Sequence, residues 1–176
     1  MTSSVPAILP LAVLEAVQNI DTPPDDGLGA LEDELAAKRL GLSPTLAAQV
    51  QRYRGQADDG EEIDREETLA VFRLVGRRPD AELVFADAGR RAARYAAKER
   101  GNGARALAAV SPGKLGGSVR MRTATSLARR WLQVELRVAE GTPRAEAGGE
   151  SPALAAGESG AGCAFYTAAL AELLRL

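Results

Sequence analysis

The chain contains no histidine and one cysteine, Cys163, in 176 residues. The first absence excludes histidine-ligated haem, histidine-bearing zinc sites and both Ser-His-Asp and Cys-His catalysis. The second excludes an internal disulfide framework and any multi-cysteine zinc site. Aromatic residues make up only 4% of the chain. Acid–base chemistry would have to come from carboxylates or lysine, and no convincing pair stands out. The expectation is therefore a non-catalytic protein. Long apolar runs are missing too. The best, "VPAILPLAVLEAVQNI" (5–20), is too short to span a bilayer and carries Pro10 and Glu15. No positive segment precedes it, so it does not read as a secretory signal. These features point to a cytoplasmic chain without a transmembrane segment, compatible with a peripheral place on the inner membrane.

What the chain has in quantity is charge, unevenly spread. The net charge is -2. Residues 1–72 sum to -9, residues 73–144 to +10 and residues 145–176 to -3. Such a reversal marks a binding face, or two oppositely charged parts that fold onto each other. The length suits one domain with a core large enough to need no staple.

Periodicity orders the elements. Ile8, Leu11, Leu14 and Val17 predict a first helix over 5–19. "DTPPDDGLG" (21–29) breaks it, and "ALEDELAAKRLGL" (30–42) reads as a second helix closed by Gly41. Ser43 and Pro44 open a third. A polar loop is expected over 55–62. Asp64 and Glu67 have capping-box spacing before a helix with a buried stripe of Leu69, Phe72 and Val75, flanked by Val71. The clearest helix follows, opened by Pro79 and closed by Gly101. Leu83, Val84, Ala88, Ala92 and Tyr95 are its expected buried face. Gly89 costs that helix about 1 kcal/mol against alanine, so it predicts the close approach of another element. Ser111 and Pro112 start a weaker helix. At Trp131 the period changes to two, with Leu132, Val134, Leu136 and Val138 on one side, which predicts a strand packed on the long helix. Glu140-Gly141 suggests a turn and 143–149 a return strand. A small-residue loop then leads into a last helix over about 162–174, burying Leu170 and Leu173 or Leu174. The order is an α+β pattern: helices packed on a small antiparallel sheet, with a closing C-terminal helix. Residues 1–62 read as a helical, acidic N-terminal extension, and residues 63–176 as the main domain.

Three segments carry a resemblance. Gly162-Cys163-Ala164-Phe165-Tyr166, followed by Ala169-Leu170 and Leu173-Leu174, resembles the Cys-x-Phe-Tyr-like opening of the final helix in the 4-vinyl reductase domain family. "DAGRRAARYAA" (87–97) is similar to that family's long helix. "LARRWLQVELRV" (127–138) is similar to its helix-to-strand passage. With "LPLAVLEAV" near the start, the order is closest to the bacteriochlorophyll-biosynthesis J protein branch, over roughly 69–176. The resemblance implies a fold related to haem nitric-oxide-binding and Bet-type domains, with helices on a small sheet around an apolar pocket. It implies a non-catalytic accessory protein of the bacteriochlorophyll or photosynthetic machinery, such as a peripheral subunit or assembly factor of a reaction-centre–antenna complex. The alternatives are a soluble carrier of a chlorophyllide-like tetrapyrrole and, third, a vinyl reductase. The chain departs from the branch where histidines are expected. Ala128-Arg129-Arg130-Trp131 replaces His-Ala-Trp, and Cys163-Ala164-Phe165-Tyr166 replaces Cys-x-Trp-His. A zinc site and histidine ligation of a chlorophyll magnesium are therefore not expected, and no nucleotide-cofactor fingerprint supports hydride transfer.

The residues to follow are Trp131, Cys163, Phe165 and Tyr166, which would line a tetrapyrrole pocket or belong to the core. Cys163 reads as a small buried residue, with a reactive thiol as the alternative. Arg90, Arg91, Arg94, Lys98, Arg129 and Arg130 form a solvated face or a contact with a membrane-bound photosynthetic complex. Nucleic acid is not expected, because the chain is acidic overall and no docking motif occurs.

Overall fold

A computed structural model describes residues 4–22, 43–99, 117–138, 145–148, 151–155 and 160–176, without the side chains of 99, 117–121, 135–138 and 145–148. The expected break at 21–29 lies almost wholly outside these residues. So do the helix over 30–42, the Gly101 stop, the Ser111-Pro112 start and the turn at Glu140-Gly141. The described chain is mostly helical, with two small antiparallel strand pairs, as an α+β reading requires.

Strand β1 (Ser4–Pro6) leads into helix α1 (Ile8–Asp21). Val5, expected in the helix, sits instead in β1, paired with Ile63 of β2 (Glu62–Asp64). Three-residue strands have no alternation to read, so this pair leaves no mark in the sequence. Pro10 falls in the first turn of α1, where an N–H is not needed. Every residue from Ile8 to Val17 is buried.

Helix α2 (Pro44–Asp58) begins with Pro44 at its first position, and Ser43 is extended but makes no capping bond. It runs through Gly55, so the expected loop shrinks to the turn at Asp59-Gly60, where Gly60 takes φ +70. Asp64 caps helix α3 (Arg65–Gly76), accepting from the backbone N–H groups of Glu66 and Glu67. Leu69, Phe72 and Val75 are its buried stripe, as expected, with Val71 partly buried.

Helix α4 (Ala81–Glu99) is the longest. Val84, Ala88 and Ala92 are buried and Tyr95 is partly so, but Leu83 is 67% exposed. The inward positions are Ala81, Val84, Phe85 and Ala88, and Leu83 stands off that face. The largest contacts of α4 are with the final helix and α1, not with the expected strand.

Helix α5 (Gly117–Trp131) ends where the period changes, but β3 (Glu135–Val138) starts later than expected. Leu132 and Val134 are buried ahead of the strand. Between them Gln133 takes φ 53, and the Val134 N–H reaches back to the Ala128 carbonyl at 3.4 Å. This left-handed residue is the hinge from helix to strand. The return strand is β4 (Ala145–Gly148), in register Glu135 to Gly148 and Val138 to Ala145. A short helix α6 (Pro152–Ala155) occupies part of the expected tail loop. Helix α7 (Ala161–Arg175) closes the described chain. It buries Leu173, with Leu170 and Leu174 half-covered.

One apolar core joins residues from Val5 to Leu173. The 1–62 segment therefore contributes α1 and α2 to the same core as α3, α4 and α7. Among the described residues no helix is long and apolar enough to cross a membrane.

Candidate functional site

The centre of the molecule is the crossing of α4 and α7. Ala88, Gly89, Ala92, Ala93 and Ala96 line α4 there, all buried, against Ala161, Phe165 and Ala169 of α7. A Cβ on Gly89 would overlap the Phe165 carbonyl and stand 3.1 Å from the Ala169 nitrogen. Glycine is thus required by contact, as its cost within a helix implied. Gly162 lets α7 approach α6 in the same way, with the Ala153 carbonyl carbon 3.1 Å from where its Cβ would be.

The rings around this crossing interlock edge to face. Phe72 meets Phe85 at 5.4 Å and Phe165 at 5.9 Å, and Phe165 meets Tyr166 at 5.1 Å. Such pairs stabilise beyond their area by about 1 kcal/mol each. Phe165 is completely buried, and Tyr166 nearly so. The Tyr166 hydroxyl donates to the Leu132 carbonyl at 3.2 Å, and burial pushes its pKa far up. Trp131 is half-buried at the end of α5, with the Arg130 guanidinium 5.2 Å from its ring centre. Cys163, expected inside, is exposed in the first turn of α7. The inward positions of that turn are Ala161, Gly162, Phe165 and Tyr166, which leaves residue 163 on the outer side. Of the four pocket candidates, Phe165 and Tyr166 meet in the core, while Trp131 and Cys163 reach solvent.

Charge surrounds this core as ordered clasps. Glu15, nearly buried on α1, accepts from the Tyr95 hydroxyl at 2.8 and 2.9 Å and from Arg54 at 2.7 Å, with Arg91 at 3.8 Å. One carboxylate thereby ties α1 to α2 and α4. Burial, then its bond to Glu15, pushes Tyr95 up to about 12. Glu172, nearly buried on α7, accepts from Arg94 and Arg175, both at 2.8 Å, and is held down at about 2 by Arg175 and then Arg94. Asp21 receives both terminal nitrogens of Arg78, whose Nε meets Asp80 at 2.8 Å. Tyr53 donates to Glu67 at 2.6 Å, and Arg52 pairs with the same carboxylate. A carboxyl held at about 2, as in Glu172, is a weak base at neutral pH, and a phenol held near 12, as in Tyr95, is a weak acid. The geometry suits joining helices rather than moving protons.

The six basic candidates divide. Arg91 bonds Asp87 at 2.8 Å and faces Glu15, and Arg94 bonds Glu172. Arg90 lies 3.8 Å from Asp87 and is partly exposed. Lys98, Arg129 and Arg130 are exposed. Sequence reasoning missed the acids that receive Arg91 and Arg94. The one available signal was Glu15 itself, the lone acid of the apolar run over 5–20. Among the described residues no cluster of three acidic, cysteine or histidine side chains is placed to hold a metal. No protein-family model, curated protein or solved structure matches the chain.

Proposed function

We propose that the chain is a non-catalytic accessory protein of the bacteriochlorophyll and photosynthetic machinery, built on a 4-vinyl-reductase-like domain. It would serve as a peripheral subunit or assembly factor of a reaction-centre–antenna complex, on the cytoplasmic side of the inner membrane. One observation carries this reading. The three segments that resemble the family, far apart in sequence, meet at one place. Gly89 of "DAGRRAARYAA" sits against Phe165 of the Cys-x-Phe-Tyr-like segment, and the Tyr166 hydroxyl of that segment is bonded to Leu132 of the helix-to-strand passage. The interlocked rings and saturated carboxylates favour a structural role over catalysis.

The test is purification from a native photosynthetic host, with absorbance spectra and identification of co-purifying proteins. Reaction-centre and antenna polypeptides with their pigment bands should accompany the protein. A colourless protein that emerges alone would overturn the accessory reading. The carrier reading keeps Trp131 and Cys163 as the groups a tetrapyrrole would reach from solvent. It requires that a chlorophyllide analogue bind the isolated protein, and that Trp131→Ala weaken the binding.

A further inference from the structure

Strand β3 reads Glu135-Leu136-Arg137-Val138 and, among the described residues, pairs only with β4. Its other edge therefore carries a row of backbone N–H and C=O groups with no ladder partner there. Outside the hairpin, the extensive contact of β3 among the described elements is with α5, the helix that leads into it. A two-stranded hairpin is marginal by itself in water and gains from further strands. The register inside the hairpin is also unequal. Arg137 stands opposite Glu146, an acid, whereas Glu135 stands opposite Gly148, which has no side chain. Within its own hairpin, position 135 thus has no side chain directly across from it.

We infer that the outer edge of β3 is a dimerisation surface, on which β3 of a second copy pairs antiparallel to make a four-stranded sheet in the order β4-β3-β3-β4. The order of the residues selects the occupant. About a two-fold axis at Leu136 the strand is its own complement. Glu135 falls opposite the second copy's Arg137, Leu136 opposite the second copy's Leu136, and Arg137 opposite the second copy's Glu135. A row across the sheet then alternates in sign: Glu146, Arg137, the second copy's Glu135. Opposite charges on adjacent strands stabilise a pair, and like charges oppose it. Charged residues on an edge strand ordinarily discourage pairing with another chain. Here they discourage every arrangement of two copies but one. A parallel copy in register sets acid against acid and base against base. An antiparallel copy shifted by one residue sets charge against leucine and turns the apolar positions to the other side of the sheet. The strand's charges sum to zero, so no repulsion keeps two such edges apart. The contact is short, which makes the dimer concentration-dependent rather than obligate.

The experiment is sedimentation velocity of the full chain across about 1 μM to 1 mM, the range of weak association. A reversible monomer–dimer equilibrium is expected. Glu135→Lys leaves the hairpin's own register undisturbed, because position 135 stands opposite Gly148 there. In the dimer it sets like charges together at two symmetric positions, so it should weaken dimerisation on the order of tenfold. Mixing E135K with R137E restores opposite charge at both positions and should yield the heterodimer. Leu136→Cys in a Cys163→Ser background should join two copies on mild oxidation, since directly opposed residues of an antiparallel pair stand about 4.5–5.5 Å apart, within disulfide reach. Gln51→Cys in the same background, exposed on α2, should not. Unchanged circular dichroism shows that each variant is folded. Arg137 also stands opposite Glu146, so if R137E does not fold, E135K and the Leu136→Cys crosslink decide alone. A chain that stays monomeric at the highest concentration would overturn the proposal and leave the edge to a strand of another protein. A dimer that folded E135K keeps at full strength, or L136C copies that link no better than Q51C copies, would overturn it too, by placing the interface away from β3.

Discussion

Helices α4 and α5 are both rich in arginine, and acids are placed differently around them. On α4, Arg91 faces Glu15 and bonds Asp87, while Arg94 bonds Glu172. On α5, Arg122, Arg129 and Arg130 stand on one exposed face of a helix with no acid. The difference lies in what each helix packs against. Helix α4 is flanked by α1 and α7, which bring nearly buried carboxylates to its edges. Burying a carboxylate is costly unless a cation and further donors meet it, so those arginines belong to the fold. A count of basic residues does not show which arginines clasp a neighbouring helix.

The largest effect should come from α4 itself. Gly89→Ala places a methyl group on the Phe165 carbonyl, where backbone cannot yield without separating the helices. A loss of about 3 kcal/mol is expected by urea denaturation, the upper end for overpacking, despite the better helix propensity of alanine. Gly55→Ala is its counterpart, since nothing stands within 4 Å of that Cβ and Gly55 lies within α2. It should stabilise by about 0.7 kcal/mol. Equal effects from the two would mean that α4 and α7 do not cross at Gly89.

Next in size are the clasps. Glu15→Gln leaves Arg54 and Arg91 without their shared anion and should cost about 2 kcal/mol, below the range for a fully buried pair because Arg54 is partly exposed. Glu172 adds a pH dependence of known sign. Its carboxyl is held at about 2 in the folded chain, below its ordinary value of 4.5, by Arg175 and Arg94. Its contribution is therefore complete above pH 4.5 and lost as pH falls toward 2. Glu172→Gln should flatten the acid limb of a stability–pH curve in that window and leave the alkaline limb alone. An unchanged acid limb would show that Arg175 and Arg94 do not hold Glu172 in the fold.

The parts of this arrangement that were legible in sequence are those set by neighbours along the chain. Pro44, the Asp64 cap, the Leu69-Phe72-Val75 stripe and the change of period at Trp131 each follow from local geometry. Gly89 was legible for another reason: a glycine that weakens a helix needs a contact to explain it. What stayed hidden depends on pairs distant in sequence. Val5 with Ile63, Arg94 with Glu172 and Tyr95 with Glu15 are joined only once the helices have packed. Leu83 was grouped with its neighbour Val84 on one face and Cys163 was placed inside by type, whereas the helix phase turned both outward.

The smallest stability effect should come from exposed cations, and it is the sharpest comparison. R91Q/R94Q and K98Q/R130Q each remove two positive charges, so net charge changes equally. The first pair strips a cation from two nearly buried carboxylates, Glu15 and Glu172. The second acts on exposed positions, where substitutions usually stay within about 0.5 kcal/mol. For a chain of this size about 1 kcal/mol moves the melting temperature by roughly 2–4 °C. The first pair should therefore lower it by several degrees, and the second by no more than about 2 °C. If the second pair is the one that melts early, Lys98 and Arg130 hold the fold, and the buried carboxylates do not depend on Arg91 and Arg94.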